Sequence, residues 1–471
     1  MKKLIIITIA LVLAAAAAGA AVKPAALFSD NAVLQQGIAA PVWGFADNGE
    51  KVTVKFQDQE LSTEAKDGKW MVRLAPLKAG GPFDMTITGS NTIELKNILV
   101  GEVWVCSGQS NMAFTLDRAD NATEAIAASA DPMLRLFTVP RKPSWTPLDD
   151  VEASWVPCNA DTAKSFTAVG YFFGRDLRKA LNVPVGLIHT SWGGTAAQWW
   201  TSPEGLKSLP DYAQSYADDY AAKGDGQRHP SVLYNGMISP LIPYAIKGAI
   251  WYQGEANAGS AYKYRTLFPT MIKSWRDGWG EGNFPFLFVQ LAPYEGGQKK
   301  PQEDTWPELR EAQLLTTKTC ANTGMAVITD VGDPTNIHPT KKEPVGGRLA
   351  LAARKIAYGE SIVSSGPIYK GMRAYGGSIT LYFDYVGGGL VAKDGDLTGF
   401  AVAGSDEEFV NATASIVGGN KVVVSSPSVP NPVAARYGWA NCPVVNLFNA
   451  EGLPASPFRT DDFAMVTAPK K

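Results

Sequence analysis

Apolar and polar positions alternate in short runs between residues 22 and 100, as in Lys51–Phe56 (KVTVKF) and residues 70–74, and the turn-formers Asp47-Asn48-Gly49, Asp67-Gly68 and Gly80-Gly81 separate them. Alternation with period two, punctuated in this way, predicts a small antiparallel β domain. The texture then changes to continuous apolar runs at 98–106, 183–190, 248–253, 284–291 and 325–331. Between them fall segments with helical periodicity at 169–181, 262–279, 308–317 and 343–358. Strands buried on both faces and alternating with helices predict a doubly wound α/β domain with a mostly parallel sheet. From Gly366 the chain returns to strands and turns, with 378–383 and Lys421–Ser425 as strands and Gly387-Gly388-Gly389 and Gly418-Gly419 as loops. The expected division is a β-sandwich-like domain over 21–97, the α/β domain over 98–358, and a β domain or extension over 359–471.

Lys2 and Lys3 precede an apolar, alanine-rich run that ends in the small residues Ala18-Gly19-Ala20. This is the layout of a secretory signal peptide over residues 1–20, so a periplasmic or secreted protein is expected. No other stretch approaches the roughly 20 apolar residues of a membrane span. Composition excludes disorder and coiled coil, since 45% of residues are hydrophobic and 10% aromatic. The balance of 43 basic against 45 acidic residues, with no basic run longer than Lys299-Lys300 or Lys341-Lys342, argues against a nucleic-acid partner. The four cysteines contain no CxxC pair, and none of the three histidines stands at metal-ligand spacing. Neither a metal nor an organic cofactor is expected, and the oligomeric state is left open.

In an open α/β sheet, reactive residues belong at the C-terminal ends of the strands. Four apolar runs end in unusual clusters. VWVCSGQSNM (103–112) places Ser110 at a strand-to-helix turn, where it either caps the helix or is an exposed nucleophile with backbone N–H groups nearby. Met112 stands where the G-x-S-x-G elbow requires glycine, so this is not that elbow. LIHTSWGGT (187–195) offers Gly193 and Gly194, either a tight turn or a backbone oxyanion donor, while His189 reads as a core histidine. AIWYQGEAN (249–257) offers Gln253, Glu255 and Asn257 for substrate or oxyanion. TDVGDPTNIHP (329–339) places His338 in a Pro-bounded loop, with Asp333 and Asp330 upstream to orient it. His338 is the strongest base candidate and His229 the alternative. Gln109, Trp192 and Trp251, with Trp199, Trp200 and Tyr252 beside them, are candidates for contact with a sugar ring.

These blocks resemble the SGNH hydrolase superfamily, and within it the sialate O-acetylesterase-like carbohydrate esterases. The likeness rests on GEVWVCSGQSNM (101–112), SWGGTAAQWW (191–200), WYQGEAN (251–257) and NIHPTKKEPVGGRLA (336–350). Flanking segments ALFSDNAVLQQ (26–36) and RYGWANCPVVNLFNAEGLPASPFRTDDF (436–463) extend it over the mature chain. The resemblance implies a three-layer α/β/α core flanked by β domains, with Ser110 as nucleophile and His338 as base. It also implies oxyanion donors at the Ser110 N–H, at a glycine of Gly193-Gly194 and within the Gln253–Asn257 block. The wider superfamily sets its aspartate three residues before the histidine, and here that position is Thr335. The acid is then Asp333, Asp330 in its place, or none, leaving a Ser-His dyad helped by backbone carbonyls. The implied activity is removal of acetyl groups from an acetylated sugar or glycan, sialate or a plant polysaccharide such as xylan or xyloglucan. A non-catalytic glycan-binding protein on the same fold is the rival reading.

Overall fold

The structure, a computed structural model, describes residues 21–295 and 303–470. The expected signal peptide lies outside the described residues. The central sheet contains β1 (Thr92–Gly108), β2 (Asp131–Thr138), β3 (Val156–Cys158), β4 (Val185–Ser191), β5 (Gly248–Tyr252), β6 (Phe286–Val289) and β7 (Thr323–Ala326). Their order is β3-β2-β4-β1-β5-β6-β7. All neighbours are parallel except β3 on β2.

Alternate residues of the parallel strands enter different cores. Trp104 and Cys106 of β1 and Ile250 of β5 join the core under helices α1 (Ala168–Leu181) and α4 (Glu343–Ile356). Val103, Val105 and Trp251 join the core under α2 (Ala261–Trp279) and α3 (Thr305–Thr319). With both faces covered, most positions are apolar, which is why these strands read as continuous runs. The helices match the expected segments closely, because their ends carry local signals. Thr167 Oγ1 accepts from Gly170 N (3.2 Å) at the start of α1, and Asn182, left-handed at φ 55°, closes it. Strand bounds match less well: the apolar run 325–331 continues past the ladder, since Val327 and Ile328 are buried without being part of β7.

β1 is 17 residues long and changes partners midway. Its first half pairs antiparallel with Gly80–Thr88, part of the N-terminal β region. Leu99–Gly101 then pairs with Val33–Gln35, and from Glu102 onward β4 and β5 flank it. Glu102 is buried, and its carboxylate accepts from Gln35 Nε2 (3.0 Å) and Gln36 Nε2 (2.6 Å). The N-terminal strands and one face of the central sheet share one hydrophobic core.

The C-terminal residues form two four-stranded antiparallel sheets around their own core, with Ile379, Leu381, Phe400, Val422 and Tyr437 inside. Arg310 of α3 ties them to the α/β region. Fully buried, it donates to Leu291 O (2.8 Å) and Ala292 O (3.0 Å) on one side, and to Ala440 O and Asn441 O (2.7 Å each) on the other. Burial pulls its pKa down to about 9, which still leaves the guanidinium charged at neutral pH. Among the described residues no helix is long and apolar enough to cross a membrane.

Candidate active site

Gly108, the last residue of β1, stands in register with Ser191 of β4 and Tyr252 of β5, so the clusters that follow these strands meet at one sheet edge. Gly108 has φ 138°, and a Cβ there would lie 2.1 Å from Tyr252 O. Only glycine lets the chain leave the sheet at this point. Gln109 N donates to Tyr252 O (3.0 Å), and the chain turns at once into the one-turn helix Ser110–Ala113. Ser110 is the first residue of that turn, and its Oγ lies 2.8 Å from His338 Nε2.

His338 arrives from the loop after β7, three strand spacings or about 14 Å from β1. Short polar side chains shape that loop. Asp333 Oδ1 accepts from Thr335 N (2.8 Å), Thr335 Oγ1 (2.9 Å) and Asn336 N (3.1 Å). Asn336 Oδ1 in turn accepts from His338 N (2.9 Å). Both are self-capping turns that fix the backbone without help from neighbours.

The expected acid is therefore corrected. Asp333 shapes the histidine loop and does not meet the imidazole. Asp330 is held by Arg348 through both carboxylate oxygens, at 2.6 and 2.7 Å. Among the described residues no carboxylate is hydrogen-bonded to His338. The imidazole is partly buried, which pushes its pKa below the ordinary value, and the nearby Lys342 and Arg118 charges push it the same way. A neutral imidazole at neutral pH is the form that can take a proton from Ser110.

Gly193 is packed against the serine: a Cβ on it would lie 3.3 Å from Ser110 Cβ. Gly194 beside it is exposed at φ 69°, and Trp192, half-buried, donates its backbone N–H to Gly108 O (3.1 Å). Gln109 is buried, with Oε1 accepting from Ala256 N (3.3 Å). Trp251, expected as a sugar contact, is a correction. It is fully buried on the core side of β5, among Trp200, Phe268, Trp275 and Phe286. Trp200 and Tyr252 are fully buried too.

The third block supports the edge from beneath. Gln253 donates to Thr195 O (3.2 Å) and Asn257 Oδ1 (2.6 Å) and accepts from Tyr264 OH (2.9 Å), so its amide is fully engaged inside the protein. Asn257 accepts from Ala197 N (2.9 Å) and donates to Gln198 Oε1 (3.0 Å). Glu255 Oε1 accepts from Asn111 Nδ2 (2.6 Å), and burial raises the carboxyl's pKa. His189 is buried with Nε2 2.6 Å from Ser191 Oγ, and burial brings its pKa down to about 3. His229 lies against Trp145 and Asp219, so the structure does not bring it to Ser110.

Two buried residues at this edge are missing from the sequence reading: Asn111 and Lys342. Lys342 Nζ donates to Asn111 Oδ1 at 2.5 Å beneath the rings of Phe114 and Tyr252. Burial lowers its pKa to about 7, against the opposing pull of Glu255. The only sequence signal for Asn111 is its place directly after the serine.

A serine hydroxyl bonded to an imidazole, at the C-terminal edge of a parallel sheet and against a glycine backbone, is equipped for acyl transfer. Comparison with known proteins agrees. The family model described as carbohydrate esterase, sialic acid-specific acetylesterase, matches residues 100–355. The sialate O-acetylesterase of Homo sapiens is 32% identical, over 94% of this chain and 93% of its own. That of Mus musculus is 34% identical over 78% of this chain and 80% of its own. A crystal structure of a carbohydrate acetylesterase from Xanthomonas citri is 41% identical and superposes with a TM-score of 0.87, covering 94% of this chain and all of that one. The chain belongs to the carbohydrate esterase, sialic acid-specific acetylesterase family, and it is a carboxylic ester hydrolase.

Proposed function

We propose that the protein is an exported serine esterase that removes O-acetyl groups from carbohydrates with a Ser110–His338 dyad, on an SGNH-type three-layer core over 98–358 flanked by β domains. The observation that carries the reading is the 2.8 Å contact of Ser110 Oγ with His338 Nε2. His338 takes the serine proton as Oγ attacks the acetyl carbonyl. The tetrahedral oxyanion then faces the N–H groups of Ser110 and Gly193. Collapse expels the sugar oxygen, which receives the proton from His338, and water activated by the same imidazole releases acetate. Neither metal nor organic cofactor enters this sequence. Of the candidate sugar contacts, Trp192 is half-buried beside Gly193, whereas Gln109 is buried and engaged by Ala256 N, so Trp192 is the one proposed to meet the sugar.

The sialate O-acetylesterase relatives favour an O-acetylated sialate as substrate, and a 9-O-acetyl group is the one proposed for this protein. The Xanthomonas citri relative, described only as a carbohydrate acetylesterase, keeps an acetylated xylan or xyloglucan in play. Export is supported by the charged and apolar layout of residues 1–20.

Hydrolysis of 4-nitrophenyl acetate by the mature protein, with Ser110→Ala beside it and EDTA in both, tests the mechanism. The variant is expected to lose about three orders of magnitude in kcat while the chelator changes nothing. Equal rates in the two proteins would sink the reading. Acetate release from 9-O-acetylated sialate against acetylated xylan oligosaccharides then identifies the sugar.

A further inference from the structure

Asn111, the residue after Ser110, is fully buried, and its amide has a single permissible orientation. Lys342 Nζ lies 2.5 Å from Oδ1 and Glu255 Oε1 lies 2.6 Å from Nδ2. An ammonium can only donate and a carboxylate only accept, and Ile337 O, which faces Nδ2, can only accept even where Lys342 or Glu255 is neutral, so the amide cannot be flipped. The remaining N–H is thereby aimed at Ile337 O, 3.0 Å away, on the residue that precedes His338. Lys342 is itself 1% exposed, although it follows the solvated Lys341 in the chain. Three elements distant in sequence thus converge on one amide: the nucleophile turn, the end of the third block and the start of α4.

We propose that Asn111, locked by Lys342 and Glu255, is a positioning residue that holds the His338 loop at the distance from Ser110 that proton transfer requires. In a serine triad a carboxylate orients the imidazole from its far side. Here the orientation is imposed from the serine's side, through the backbone of the histidine loop. The inference rests on the reading of Ser110 and His338 as the reacting pair.

Two variants and one titration test it. Asn111→Asp keeps the side chain's shape but has no N–H for Ile337 O. Lys342→Met removes the cation and leaves an apolar chain of similar length, but it strands the buried Glu255 carboxyl and Asn111 Oδ1 without their partner, so a loss of stability is expected with it. A fluorophosphonate probe counts competent Ser110 sites, and kcat for 4-nitrophenyl acetate is expressed per counted site. Asn111→Asp is expected to lose about 100-fold in kcat per site, the scale on which a misplacement of about 1 Å acts, with KM unchanged. Lys342→Met is expected to lose about tenfold or more per site, and its Tm to fall, which the count of competent sites separates from the change in kcat. If Asn111→Asp does not fold, Lys342→Met decides alone. Fewer competent sites with kcat per site within threefold of wild type would overturn the proposal and leave the cluster a purely structural one. Wild-type protein that the probe does not label at Ser110 would remove the functional reading, and the proposal with it.

Discussion

Arg348 grips Asp330 through two parallel hydrogen bonds, Nη1 to Oδ1 at 2.6 Å and Nη2 to Oδ2 at 2.7 Å, and Nη1 also donates to Val327 O at 2.8 Å. The carboxylate best placed in sequence to assist His338, apart from Asp333, thus fastens α4 to the loop after β7. Asp330→Asn is expected to cost about 1–3 kcal/mol of stability, read by urea unfolding, because a charged hydrogen-bond partner is lost. Its kcat should remain within about threefold of wild type. Asp333→Asn keeps the acceptor that caps Thr335 and Asn336, so its kcat should also stay close to wild type. A hundredfold loss in either variant without a change in stability would reinstate an aspartate as partner of the imidazole.

The acid limb of kcat/KM should have its midpoint below the 6.5 of an ordinary histidine. The base works only when neutral, and burial together with the Lys342 and Arg118 charges disfavours its protonation, so activity persists to lower pH than an unshifted imidazole would allow. Arg118 is exposed, with its guanidinium over the Phe114 ring at 4.4 Å, and can be replaced without opening the core. Arg118→Gln should move the midpoint upward. A pH–rate profile in which the wild-type limb lies above 6.5, or in which the substitution moves it downward, contradicts this electrostatic account.

His189 should make the fold acid-sensitive. Its pKa is about 3 in the folded protein and near 6.5 in the unfolded chain, so between these values the unfolded state binds the extra proton. Stability from this group is intact above about pH 6.5 and declines as pH falls toward 3. Urea midpoints measured at pH 7 and pH 4 should fall further for wild type than for His189→Gln. Parallel declines would show that the acid sensitivity arises elsewhere.

All four cysteines are free thiols, with Cys106, Cys158 and Cys442 buried and Cys320 partly exposed. Burial raises the thiols of Cys106 and Cys158, the latter to about 12, so neither supplies reactive thiolate at neutral pH. A thiol reagent should modify at most Cys320 quickly in the native protein and four groups after unfolding, and a reductant should leave Tm unchanged. Fewer than four thiols in unfolded, unreduced protein would reveal a disulfide.

Much of the site is legible in the sequence because its residues close apolar runs. Ser110 and the Gly193 turn follow strands that are neighbours in the sheet, and the parallel topology brings those ends together. His338 is legible mainly because histidines are scarce, with three in the chain. The aspartate is not legible, since proximity in sequence says nothing about whether a carboxylate turns toward the ring or caps its own loop. Trp251 is ambiguous for a different reason. Successive residues of a strand buried on both faces look alike in sequence, and only the fold shows that Trp251 enters the core rather than a groove. Lys342 gives no signal at all, because a Lys-Lys pair ordinarily reads as solvated, whereas here the second lysine lies under two aromatic rings. The switch within β1 follows the same logic: Thr92–Gly108 alternates where one face meets water and becomes mostly apolar, Glu102 and Ser107 apart, where both faces are covered.

The passage of β1 through two sheets also bears on modularity. A fragment beginning at residue 98 would lack Gln35 and Gln36, leaving the Glu102 carboxylate buried without those donors. It would also lose Val33, which packs so closely over Gly186 of β4 that a Cβ there would come within 2.8 Å of it. The N-terminal strands are thus a keel laid under the catalytic sheet rather than a detachable cassette. Shuffling or engineering that adds a module in front of this enzyme must join it upstream of that keel, because a splice inside β1 would cut the strand that ends beside Ser110.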